Sequence, residues 1–211
     1  MERLKAMGIA GSPRRDGNSA ALLEAVLAGA ADGGAACEVV RLNDLSFRGC
    51  QACRPCTPDA TCRLDDELSG VLERLREADL WVLAAPIYFD GVSGQMKLFF
   101  DRLHHLINAA GEVRPLLTGR RAAAVVVTYE DKPRDDYRDV ADRLAGYLSW
   151  MGEFVRVAVL AEGRLGPAGA AAARDDLMAR ARRVGRELVD DLTPGAAPGA
   201  PSGPNGPPPG P

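Results

Sequence analysis

Short apolar runs alternate with longer amphipathic stretches along most of the chain. The apolar runs predict strands, and the longer stretches, in which apolar residues recur every three or four positions, predict helices. Strands are expected at 3–10, 37–42, 80–84, 121–128 and 154–160. Helices are expected at 18–31, 66–78, 95–108, 136–152 and 167–192. This alternation predicts an α/β fold, in which a doubly wound, five-stranded parallel sheet lies between two layers of helices.

In such a sheet, ligands bind beyond the carboxyl ends of the strands, near the point where the strand order reverses. The loops expected at that edge follow the first four strands, at 11–19, 46–64, 85–94 and from Tyr129 onward. These loops hold the most distinctive residues of the chain. We therefore expect the functional site to lie along this one edge of the sheet, which we call the rim.

The loop from Gly11 to Ser19 joins a predicted strand to a predicted helix, which is an arrangement that binds phosphate. The unpaired N–H groups at a helix N-terminus, and the helix dipole, favour an anion there. Ser12, Asn18 and Ser19 add polar side chains, and Arg14 or Arg15 adds positive charge. The same residues would also suit a simple helix cap, and the loop contains neither G-x-x-x-x-G-K-[ST] nor G-x-G-x-x-G.

Four of the five cysteines, Cys50, Cys53, Cys56 and Cys62, have the spacing C-x2-C-x2-C-x5-C. In a reducing cytoplasm, such clustering favours a metal or redox role over structural disulfides. Two-residue gaps wrap a chain around a compact centre, as in bacterial ferredoxins, although those take their fourth ligand from elsewhere. An iron–sulfur cluster, tetrahedral zinc and redox-active thiols all remain open on these residues alone.

The segment after the third strand begins with Pro86, which stiffens the turn, and continues with two aromatic residues, Tyr88 and Phe89. Flat aromatic surface suits a flat ligand, but it would equally suit the core or a dimer contact.

The helix that follows has apolar residues at core spacing, namely Met96, Leu98, Phe99, Leu103 and Leu106. We expect Lys97, Asp101 and Arg102 to form ordinary pairs on its surface. His104 and His105 are adjacent, so they point in different directions and are not expected to form a ligand pair. Surface or interface positions are expected for both.

Three motifs occur in order: Gly11-Ser12-Pro13-Arg14 with Gly17-Asn18-Ser19, the cysteine motif, and the segment from Ala85 to Arg102. Together they resemble the NAD(P)H-dependent FMN reductase group of flavodoxin-like proteins, over roughly residues 3–190. The iron–sulfur flavoproteins are the branch to which the chain is most similar.

The resemblance implies a flavodoxin-like fold that holds FMN without a covalent link. The residues that would hold the FMN phosphate are Ser12, Arg14, Asn18 and Ser19. Those along the isoalloxazine would be Pro86, Ile87, Tyr88 and Phe89, with Gly91 and Ser93 allowing close approach of the backbone to the ring.

The resemblance also implies a [4Fe–4S] cluster on the four clustered cysteines, NAD(P)H as co-substrate, and a homodimer or homotetramer with the flavin near the interface. Electrons would pass to a quinone, another small molecule or a protein carrier. One alternative is an electron carrier or redox sensor without a substrate of its own. Another is a zinc-stabilised domain without redox activity.

Composition narrows these classes further. The net charge of −3 gives no electrostatic case for nucleic acid, and no apolar run is long enough for a bilayer. The first strand leaves no room for a signal peptide, so we expect a cytoplasmic protein. Residues 1–193 are expected to form one domain, and 194–211, rich in Pro and Gly, a disordered tail.

Overall fold

The computed structural model describes residues 3–53, 56, 61–109 and 112–193, so the predicted tail lies outside the described residues. The strands are β1 (Lys5–Ala10), β2 (Ala36–Arg41), β3 (Leu80–Tyr88), β4 (Gly91–Val92), β5 (Asn108–Ala109), β6 (Glu112–Val113), β7 (Arg120–Thr128) and β8 (Glu153–Glu162). The α-helices are α1 (Asn18–Asp32), α2 (Glu67–Glu77), α3 (Gly94–Arg102), α4 (Arg138–Leu148) and α5 (Asp175–Leu192).

Five strands pair in parallel in the order β2-β1-β3-β7-β8, which is the flavodoxin-like order. The predicted α/β class and doubly wound parallel sheet are confirmed. The order reverses between β1 and β3, so the expected ligand position lies at the carboxyl ends of these two strands.

Strand β3 is apolar throughout its first six residues because both of its faces are covered. Its side chains alternate between two cores. Leu80 and Val82 pack in the layer that contains α1 and α5, whereas Trp81 and Leu83 pack in the layer of α2, α3 and α4. No helix among the described residues has the length and apolar character needed to span a bilayer.

Several element boundaries differ from the sequence-based expectation. Strand β3 continues through Pro86 to Tyr88 and turns back into β4, which pairs with it antiparallel. The last helix begins at Asp175 because Pro167 and Gly169, whose φ is +81°, interrupt the preceding stretch.

Helix α3 ends at Arg102 instead of continuing to 108, and a 3-10 turn, Leu103–Leu106, follows it. The Nδ1 atom of His105 lies 2.6 Å from the carbonyl oxygen of Arg102. Since a carbonyl only accepts, Nδ1–H is the donor, and this side-chain bond competes with the helical pattern.

Candidate functional site

A pocket of about 610 Å³ opens at the carboxyl ends of β1, β3 and β7. Its volume falls within the range of about 300–1,000 Å³ that is typical of small-molecule sites. Its lining includes eight of the predicted site residues: Ser12, Arg14, Asn18, Ser19, Pro86, Ile87, Tyr88 and Phe89. Two separate loops, distant in sequence, therefore meet in one cleft.

One end of the pocket is formed by the first turn of α1. The residue that precedes the helix is Gly17, which has no side chain with which to cap it. The Ser12 hydroxyl oxygen accepts a hydrogen bond from the backbone N–H of Arg14, at 3.1 Å, and this bond shapes the loop. Backbone donors and the positive end of the helix dipole suit a phosphate here.

The side chain of Asn18 forms hydrogen bonds with the backbone of another loop. Its Nδ2 donates to the carbonyl oxygens of Leu165, at 2.7 Å, and Pro167, at 2.9 Å. Its Oδ1 accepts from the N–H of Ala171, at 2.9 Å. The side chain thus anchors the 165–171 loop to α1, and what Asn18 offers an anion is its backbone N–H.

The other end of the pocket is an apolar wall at the end of β3. Pro86 and Ile87 are half-buried, Tyr88 is 44% exposed, and Phe89 is fully exposed. Phe89 and Asp90 have φ values of 48° and 61°, which are uncommon for residues other than glycine and sharpen the turn into β4. This wall is flat, aromatic and open to a ligand.

Gly91 and Ser93 do not line the pocket. Gly91 lies in β4, paired with Tyr88. Ser93 is completely buried, and its hydroxyl donates to the carbonyl oxygen of Gly11 at 2.6 Å. Ser93 therefore ties the segment after β3 to the loop after β1, which is a scaffolding contact.

The end of β7 and the loop after it supply lining residues to which the sequence pattern gives no individual role. They are Thr128, Tyr129, Glu130, Asp131, Lys132 and Tyr137. The polar run after a buried strand was the available signal, but nothing in its spacing selects particular side chains.

Tyr137 joins this loop to the β3–β4 turn. Its hydroxyl donates to Oδ1 of Asp90 at 2.5 Å, and its ring stands edge-on to Tyr129 with centroids 5.0 Å apart. The hydrogen bond to Asp90, with the nearby negative charge, raises the pKa of Tyr137 to about 12. The phenol is therefore protonated at neutral pH and closes one side of the pocket.

The four clustered cysteines line a second, smaller cavity of about 70 Å³. Cys50 and Cys53 are exposed, Cys56 and Cys62 are half-buried, and none is in a disulfide. Arg102, His104 and His105 complete one side of this thiol cavity. Among the described residues, no three His, Cys, Asp or Glu side chains are arranged as a metal site.

The thiol cavity and the larger pocket share no lining residue. Helix α3 starts beside the pocket and ends at the thiol cavity, and its nine residues rise about 13 Å. The residues expected on one rim therefore form two separate cavities, and α3 runs between them.

The expectation that Arg102 forms a pair on the helix surface is wrong. Lys97 and Asp101 form the predicted surface pair, at 2.7 Å, but Arg102 is 1% exposed. Its Nη1 donates to Oδ2 of Asp66 at 2.7 Å, and its Nε donates to Sγ of Cys62 at 3.2 Å. Burial opposes the charge, but Asp66 and Cys62 raise the pKa of Arg102 above its ordinary value.

His105 is also buried, contrary to the expected surface position. Burial, together with the positive charges of Arg76 and Arg102, lowers the pKa of His105 to about 4. His105 is therefore neutral at physiological pH, and its Nδ1–H is fixed on the Arg102 carbonyl oxygen. The neighbouring His104 has Nδ1 at 3.9 Å from Sγ of Cys56.

A family model described as NADPH-dependent FMN reductase matches residues 4–136, and the chain belongs to that family. An iron–sulfur flavoprotein of Methanocaldococcus jannaschii is 36% identical over 99 residues, which cover 47% of this chain and 51% of that protein. Another, from Archaeoglobus fulgidus, is 32% identical over 124 residues, covering 59% and 54%. The chain thus spans about half the length of the curated relatives it matches.

Solved structures share the fold. An NAD(P)H:quinone oxidoreductase from Methanothermobacter marburgensis has a TM-score of 0.64 and 21% identity, covering 89% of this chain and 98% of that one. An NADH:FMN oxidoreductase in its apo form has a TM-score of 0.59 and 20% identity, covering 90% and 91%. At such identities the similarity establishes the flavodoxin-like fold alone.

Proposed function

We propose that this member of the NADPH-dependent FMN reductase family binds FMN in the 610 Å³ pocket and is an NAD(P)H-dependent FMN oxidoreductase. The observation that carries the proposal is the difference in chemical character between the two ends of that pocket. An uncapped helix N-terminus with Arg14 lies at one end, and an aromatic wall lies at the other. FMN has the same two parts, a phosphate and a flat ring system.

The chain's own residues would bind and orient the cofactor. Ser12, Arg14, Ser19 and the first N–H groups of α1 would hold the phosphate, and Asn18 would fix the loop that closes that end. Residues 86–89 would lie along the ring and exclude water from one side. When bound, FMN supplies hydride acceptance and the release of electrons singly or in pairs.

The donor would be NADH or NADPH, and the acceptor a quinone, another small molecule or a protein carrier. We infer a homodimer or homotetramer, because the fully exposed Phe89 and the half-exposed Tyr88 would be covered by a second subunit beside the flavin. We also propose that the protein acts in the cytoplasm. Residues 1–193 would form the FMN-binding domain.

For the thiol cavity, we propose a [4Fe–4S] cluster held by Cys50, Cys53, Cys56 and Cys62. Two observations support it: the four side chains line one cavity, and relatives at 32% and 36% identity are named iron–sulfur flavoproteins. Four thiolates have the softness that iron–sulfur clusters require, and the buried guanidinium of Arg102 would offset their negative charge. The cluster would supply one-electron storage beside the two-electron flavin.

One anaerobic purification tests both proposals. Flavin, iron, acid-labile sulfide and zinc are quantified on the same sample, and NADH and NADPH oxidation is followed with a quinone or free flavin as acceptor. We expect one FMN and four iron and four sulfide per chain, with steady turnover. The absence of FMN would overturn the oxidoreductase proposal. Full FMN without turnover would favour the electron carrier or redox sensor, and zinc or unmetallated thiols would overturn the cluster.

A further inference from the structure

The thiol cavity has a buried guanidinium in its wall. Arg102 extends from the last turn of α3, and two of its three nitrogens have partners. Nη1 donates to Asp66 and, at 2.9 Å, to the carbonyl oxygen of Arg48, while Nε donates to Sγ of Cys62. These bonds fix the plane of the guanidinium.

The third nitrogen, Nη2, is buried and has no hydrogen-bond partner within the described part of the chain. Leaving a buried donor of a charged group unpaired is unfavourable. In the planar guanidinium, Nε–H and one Nη2–H lie on the same edge and point in parallel. Because Nε–H is directed at the Cys62 sulfur, Nη2–H is directed toward the same side of the group.

We propose that Arg102 donates two parallel hydrogen bonds to the cluster, one to Cys62 through Nε and one to a second sulfur through Nη2. This inference rests on the proposed cluster. A cluster with four thiolates is anionic and becomes more so on reduction, so a nearby positive charge and N–H···S bonds stabilise the reduced form more. Arg102 thus holds the reduction potential of the cluster at a higher value than the four cysteines alone would set.

Asp66 acts in the opposite direction. Its carboxylate pairs with Nη1 of Arg102 and offsets part of the positive charge. Asp66 also caps α2 by accepting from the N–H of Leu68, at 3.2 Å, and asparagine can keep that role. Asp66→Asn therefore removes the negative charge. Its Oδ1 can keep the cap on Leu68, whereas the amide nitrogen that replaces Oδ2 no longer accepts from Arg102.

The test uses the full-length chain, reconstituted anaerobically with iron and sulfide. The midpoint potentials of the cluster and of FMN are measured by redox titration, with electron paramagnetic resonance and visible absorption as readouts. Arg102→Gln should shift the cluster potential to more negative values. Arg102→Lys, which keeps the charge but not the two-pronged geometry, should shift it less, and Asp66→Asn should shift it to more positive values.

The matched control is Lys97→Gln, which removes one positive charge from the exposed face of the same helix. Its cluster potential, and the FMN potential of every variant, should equal that of the wild type. A wild type that takes up no iron and sulfide overturns the cluster and, with it, the role of Arg102. A loaded wild type whose potential is unchanged in Arg102→Gln and Arg102→Lys overturns only the role of Arg102. If Arg102→Gln does not fold, the other two variants decide, and shifts of the same sign in both would overturn the inference.

Discussion

The 610 Å³ pocket and the thiol cavity lie near the two ends of α3, and they are built in different ways. The pocket is assembled from the ends of regular strands and the start of a helix, so backbone atoms provide much of its chemistry. The thiol cavity is assembled from side chains whose described residues, 50–53, 56 and 61–64, lie in no helix or strand, and they are set against the end of α3. A site made from backbone needs few particular residues, whereas a site made from side chains depends on each of them.

The largest effect should come from the thiol cavity. Cys62→Ser removes the sulfur that accepts from Arg102, and a hydroxyl is a poor ligand for iron. We expect iron and sulfide to fall from a full complement to nearly none after anaerobic reconstitution, with FMN content unchanged. Cys37→Ser is the control, because Cys37 lies in β2, away from the cavity, and should leave both contents as in the wild type. A parallel loss of FMN would contradict the independence of the two sites.

FMN binding should weaken when a single methyl group is added to the loop at the phosphate end of the pocket. A Cβ atom on Gly17 would lie 2.9 Å from Oγ of Ser12 and 3.2 Å from the carbonyl oxygen of Arg14, so Gly17→Ala must move the Ser12 hydroxyl that shapes the loop. Contacts to a charged group contribute about 1.5–3 kcal/mol, and we therefore expect FMN binding to weaken about 10- to 100-fold. Flavin fluorescence titration measures the dissociation constant. Gly146→Ala, whose new Cβ would meet nothing within 4 Å, should bind FMN normally, and equal affinities in all three proteins would exclude the loop as the phosphate site.

Both sites depend on the packing of the helices around the sheet. A change that weakens this packing, as between α1 and α5, should therefore destabilise both sites equally. A Cβ on Gly29 of α1 would overlap the carbonyl oxygen of Arg182 in α5. Gly29→Ala should lower the free energy of unfolding by about 1–3 kcal/mol, as overpacked cores do. Urea unfolding measures this, and Gly146→Ala should instead be neutral or stabilising by up to about 1 kcal/mol. Selective loss of one cofactor in folded Gly29→Ala would show that the two sites do not share this framework.

The same contrast explains what could be predicted from the sequence. The alternation of strands and helices and the position of the loop after β1 follow from periodicity and from local strand–loop–helix chemistry, and both could be predicted. The burial of Arg102 could not, because it follows from contacts with Asp66, 36 residues away, and Cys62, 40 residues away. Helical spacing placed Arg102 near Lys97 and Asp101 on a surface, and nothing local distinguishes an arginine that pairs with solvent from one that pairs across the fold.

Ser93, beside the pocket, and Asn18, in its lining, show the same limit. Their residue types are right for a polar site, but their side chains are bonded to carbonyl oxygens of Gly11 and Leu165, 82 and 147 residues away. Such long-range hydrogen bonds cannot be derived from spacing. Sequence reasoning could therefore find the two loops that meet in the pocket but could not divide their residues between scaffold and ligand contacts.

The smallest expected effect concerns the side of the pocket closed by Tyr137. Tyr137→Phe removes the hydrogen bond to Asp90 but keeps the ring against Tyr129, so FMN binding should weaken only a few-fold. Because the folded-state pKa of Tyr137 is raised to about 12, above the value of about 10 in the unfolded chain, its contribution is complete below pH 10 and is lost as the pH rises through about 12. Unfolding measured from pH 8 to 12 should therefore show a wild-type decline above pH 10 that is smaller in Tyr137→Phe. Identical pH profiles would show that this hydrogen bond does not hold the pocket wall.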